Sequence, residues 1–92
     1  MNNLKVAIIE DEVPAARLLH SMLRRLRPAW EVMVLPGSVE EAVQWFAENP
    51  HPDLLFLDVE LPDILGLNLL SEIREDILWD MKVVFYTSYD KY

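Results

Sequence analysis

Leu54-Leu55-Phe56-Leu57-Asp58 decides how this chain folds, because four apolar residues run straight into a carboxylate. An unbroken aliphatic run is the pattern of a strand covered on both faces, as in a parallel sheet. An ionised group closing such a strand is costly to bury alone, so something must meet it there. Val6-Ala7-Ile8-Ile9 ends in the same way on Glu10-Asp11. If the two strands lie parallel in one sheet, three carboxylates converge on one rim. Such a cluster of negative charge asks for a cation.

Working outward, the punctuation is regular. Leu4 to Ile9 predicts the first strand. Pro14 suits a first helical turn, and Leu18, Leu19, Met22, Leu23 and Leu26 recur at helical spacing until Pro28 stops them. Val32-Met33-Val34-Leu35 predicts a second strand. Ser38 and Glu41 then form a capping box for a second helix, striped by Val39, Ala42, Val43 and Phe46. Asn49-Pro50-His51-Pro52 breaks the chain before the strand that ends at Asp58. A loop with a turn is expected from Leu61 to Leu65, with Gly66 free to take positive φ. Leu67, Leu70, Ile73 and Ile77 mark a third helix, and Met81 to Tyr86 a fourth strand that runs into Thr87-Ser88. The order β-α-β-α-β-α-β predicts an α/β fold: a doubly wound parallel sheet in three layers, with helices on both faces and right-handed crossovers.

Composition narrows the function. Ninety-two residues, 52% of them apolar, fit one domain near the small end of what holds a core unaided. With no cysteine, a bound ion must be taken by oxygen or imidazole. No basic-then-apolar leader opens the chain and no apolar run is long enough to span a bilayer, so a soluble, cytoplasmic domain is expected. The net charge of −8 argues against direct contact with nucleic acid. Arg17, Arg24, Arg25 and Arg27 make one locally basic helix, read as a solvated face. His20, His51, Trp30, Trp45 and Trp79 read as surface or packing residues.

In open α/β sheets, ligands sit beyond the carboxyl ends of the strands, where Glu10, Asp11, Asp58 and Thr87 all fall. Mg²⁺ takes oxygen ligands, commonly one or two carboxylates with waters and a phosphate. An aspartate can attack a phosphoryl group to give an acyl phosphate, provided the charge on the transferring group is neutralised. A divalent cation and a hydroxyl such as that of Thr87 would supply this.

Glu10-Asp11 after strand one, Asp58-Val59-Glu60-Leu61-Pro62-Asp63-Ile64-Leu65-Gly66 after strand three and Thr87-Ser88 after strand four resemble the receiver (CheY-like) domain of bacterial two-component response regulators. Thr87-Ser88-Tyr89-Asp90-Lys91-Tyr92 is similar to receivers of the LytR/AlgR type. The resemblance implies a flavodoxin-like sheet of strand order 2-1-3-4. It also implies Asp58 as phosphoacceptor for a histidine kinase, Asp11 as a direct Mg²⁺ ligand, Glu10 orienting the metal through water, the main-chain carbonyl of Glu60 as a further ligand, and Thr87 as the switch hydroxyl. Receivers carry a lysine and an aromatic on a fifth strand. Lys91 follows Thr87 too closely to serve, so the expectation is a receiver lacking its fifth strand and last helix, without the DNA-binding effector domain of that type. An exposed fourth strand predicts self-association.

Two rivals come from other classes. A phosphohydrolase of the haloacid-dehalogenase type also places an aspartate nucleophile after an apolar strand, but it wants a second aspartate where Glu60 stands. A pseudo-receiver would serve only as an interaction module and would not bind Mg²⁺.

Overall fold

The computed structural model describes residues 3–35, 38–58 and 80–86. They form β1 (Lys5–Ile9), α1 (Val13–Leu26), β2 (Glu31–Leu35), α2 (Val39–Glu48), β3 (Leu54–Asp58) and β4 (Lys82–Tyr86). The four strands make one parallel sheet in the order β2-β1-β3-β4, the order expected from the sequence. The chain moves from β1 outward to β2 and then returns past β1 to β3. Connections therefore diverge between β1 and β3, which is where such sheets leave a crevice.

Alternation along the strands divides the core in two. On one face Val6 and Ile8 pack with Leu23 of α1, flanked by Leu19, Trp30, Leu54 and Phe56. On the other, Ala7, Ile9, Leu55 and Leu57 pack with Ala42 and Phe46 of α2. With α1 and α2 on opposite faces, the three layers follow. The sequence expectation of two-sided cover holds for β1 and β3, whose central residues are buried or nearly so. β2 and β4 are the sheet edges among the described residues and leave Met33, Val34, Val84 and Phe85 exposed.

Both helices have local reasons to start where they do. Pro14 sits in the first turn of α1, where the N–H it lacks has no helical partner. Ser38 caps α2 by accepting the Glu41 N–H at 3.1 Å, and its hydroxyl donates to the Glu41 carboxylate at 3.0 Å. The apolar stripe of α1 is narrower than its sequence suggests. Leu19 and Leu23 face the sheet, whereas Leu18 and Met22 are exposed on the next arc of the helix about 100° away, and Leu26 is exposed at its last residue. Arg17, Arg24, Arg25 and Arg27 are exposed, and the Arg27 guanidinium lies over the Trp30 ring at 5.9 Å. No described helix is long and apolar enough to cross a membrane. The predicted loop from Leu61 to Leu65, the third helix from Leu67 to Ile77, and whatever follows Tyr86 lie outside the described residues.

Candidate functional site

The register of the sheet builds the site. Ile9 pairs with Leu57, and Asp58 pairs with Tyr86, so Glu10, Asp58 and Tyr86 stand in one row at the carboxyl ends of three adjacent strands. Asp53 sets this register from the opposite rim. Its carboxylate accepts the Lys5 N–H at 2.9 Å, its own N–H donates to the Lys5 carbonyl at 2.8 Å, and its carbonyl accepts the Lys82 N–H at 3.1 Å. One residue thus aligns the starts of β1, β3 and β4.

At the far rim, one carboxylate oxygen from each of Glu10, Asp11 and Asp58 lies within 4.8 Å of the others. Asp58 is 1% exposed and Glu10 4%, while Asp11 faces solvent. The convergence expected from the two apolar runs is therefore present. Beside it a cavity of about 740 Å³ opens between α1 and the end of β2, reaching past Arg17 and His20 to Val34. Glu60 and Thr87 lie outside the described residues. His51, at the opposite rim, keeps its loop role, with Nδ1 2.8 Å from the Pro52 carbonyl oxygen.

Glu10 is held at both oxygens. Oε2 accepts the Glu12 N–H at 3.1 Å and Oε1 accepts the Tyr86 hydroxyl at 2.8 Å. Burial pushes the Glu10 carboxyl above its ordinary 4.5; the bonds from Tyr86 and Glu12 pull it back, and neighbouring Asp58 pushes it up again. Burial also raises Tyr86 well above its ordinary 10.0, reinforced by its bond to Glu10 and by the charges of Glu10, Asp58 and Asp11. Its phenol therefore remains a donor throughout the neutral range. Tyr86 is the site residue that sequence reasoning missed, since an aromatic closing Val83-Val84-Phe85 reads as ordinary strand packing.

The donor set suits a hard divalent cation: all three ligating groups are oxygen, and their crowding is relieved by positive charge. A family profile described as response regulator receiver domain matches residues 6–92. The chain belongs to that family. The match runs through both acidic segments and sets aside the phosphohydrolase alternative. Among relatives, the chain is 34% identical over 93 residues to the sensory transduction protein LytT of Bacillus anthracis, covering 97% of this chain and 35% of LytT. It spans about a third of the length of the curated relatives it matches. Among solved structures, the response regulator TrrA of Thermotoga maritima in complex with Mg²⁺-BeF superposes with a TM-score of 0.76 at 30% identity, over 94% of this chain and 70% of that one. TrrA bound to the histidine kinase ThkA gives 0.74 at 30% identity, over 97% and 72% of the two chains. As a receiver domain, the chain is a module of two-component signalling and not a conventional enzyme.

Proposed function

We propose that this receiver accepts a phosphoryl group on Asp58 from the phosphohistidine of a partner histidine kinase and assists that transfer itself. A carboxylate oxygen of Asp58 attacks phosphorus as the bond to the imidazole nitrogen breaks; that nitrogen keeps the bonding pair and the ring, protonated on its other nitrogen, leaves as neutral histidine while Asp58 becomes an acyl phosphate. Asp11 and Asp58 would hold Mg²⁺ directly, with the Glu60 carbonyl, and Glu10 would orient it through water. Bound there, the ion neutralises charge on the transferring phosphoryl oxygens. The Thr87 hydroxyl then turns toward the new dianionic group and biases a docking surface.

The observation that carries this reading is the burial of Asp58 against two further acids within 4.8 Å. The Mg²⁺-BeF complex of TrrA and the ThkA complex support the cation and the kinase. The run from Thr87 to Tyr92 and the likeness to LytT support a LytR/AlgR-type regulator, cytoplasmic, whose effector domain acts on transcription. The 92-residue chain associates with itself along β4, where Val84 and Phe85 are exposed; a compact monomer in concentrated sedimentation runs would contradict this.

The test is labelling of the full-length protein by a small phosphodonor with Mg²⁺. Wild type takes an acid-labile label and Asp58→Asn takes none. Undiminished label in the variant removes Asp58 from the role, and absence of both label and Mg²⁺ binding in wild type leaves the pseudo-receiver reading.

A further inference from the structure

We infer that Tyr86 is a positioning residue for the cation site, its hydroxyl fixing the carboxylate of Glu10 in the pose in which it serves the metal. The inference rests on reading the acidic rim as a Mg²⁺ site. Its geometry is independent of that reading. Tyr86 pairs in register with Asp58, and Glu10 follows β1 on the far side of β3. Neighbouring strands lie about 4.8 Å apart, so the 2.8 Å bond from the Tyr86 hydroxyl to Glu10 Oε1 bridges two interstrand gaps. The phenol therefore reaches across the end of β3 at the level of Asp58. Serine or threonine at this position is several bonds too short to make the contact, and phenylalanine has the length without the donor.

The second oxygen of Glu10 is tied to the backbone N–H of Glu12, the residue immediately before α1. These two restraints come from β4 and from the start of α1, and each holds a different oxygen of the carboxylate. A ligand group held in advance loses little freedom when the ion arrives, whereas a loose one must be ordered at that moment. Partners that orient metal-site groups in this manner commonly change metal affinity by about 10-fold to 100-fold when removed. The Tyr86 hydroxyl is asked to supply the lower end of that range, since the Glu12 bond survives its loss.

Calorimetric Mg²⁺ titration of wild type, Tyr86→Phe, Glu10→Ala and the double variant tests this. Tyr86→Phe should weaken Mg²⁺ binding by about 10-fold, and the same change made in the Glu10→Ala background, which has no acceptor for the hydroxyl, should add nothing. Mg²⁺ should also shift the tyrosine ultraviolet difference spectrum of wild type, a signal that Tyr86→Phe loses. Equal Mg²⁺ affinity in wild type and Tyr86→Phe overturns the inference while leaving the cation site standing, as does an undiminished loss in the Glu10→Ala background. If Tyr86→Phe does not fold, a wild-type difference spectrum unmoved by saturating Mg²⁺ overturns it instead. A wild-type chain that binds no Mg²⁺ refutes the reading of the rim, and the inference with it.

Discussion

Asp58→Asn should make the metal-free protein more stable. The substitution keeps the shape of the side chain and removes one negative charge from a group whose carboxylate oxygens lie within 4.8 Å of one another. At that separation a pair of like charges repels by about 1 kcal/mol at the dielectric of water and about 3 kcal/mol at an effective dielectric near 20. Asp58 is almost fully buried, which favours the upper figure, while Asp11 is open to solvent, which favours the lower. The expected gain is therefore about 1 to 3 kcal/mol, or an upward shift in Tm of at least about 4 °C for a domain of this size. Urea melts in EDTA at neutral pH measure it. Mg²⁺ should then reverse the ranking, since a ligand that binds only the folded state stabilises wild type by mass action and leaves the variant unchanged. A variant no more stable than wild type in EDTA, at equal denaturant slope, would refute the electrostatic reasoning.

Other consequences concern the core and pH. Leu57→Ala should cost about 3 kcal/mol, because the side chain is fully buried between β1 and α2, whereas Leu18→Gln should change the urea midpoint little. Metal-free stability should fall as pH rises from 4.5 through the raised value of Glu10, because the folded state there keeps a proton that the unfolded state has released. Glu10→Gln should flatten that part of the urea midpoint against pH; an unchanged slope would remove Glu10 as its source.

The two central strands were legible because two-sided burial leaves an unbroken aliphatic run, and the acids that close them stood out for the same reason. Edge exposure did not show in the strand's own residues: Val83-Val84-Phe85 reads like a covered strand, and an exposed fourth strand was expected from the order of the elements alone. The α1 pattern over-counted its core, since Leu18 and Met22 keep a helical spacing of their own one arc away from Leu19 and Leu23, and Leu26 falls at the end of the helix. Tyr86 and Asp53 escaped because their roles depend on partners 76 and 48 residues away in sequence, and neither residue type is unusual where it stands.

The most direct test of the shared acidic rim is a Mg²⁺ titration followed through backbone amide NMR signals. One saturable set of shifts should appear, centred on Glu10, Asp11 and Asp58 and lost together in Asp11→Asn. Shifts that never saturate, or that centre on other acids such as Glu40 and Glu41 at the start of α2, would contradict the account.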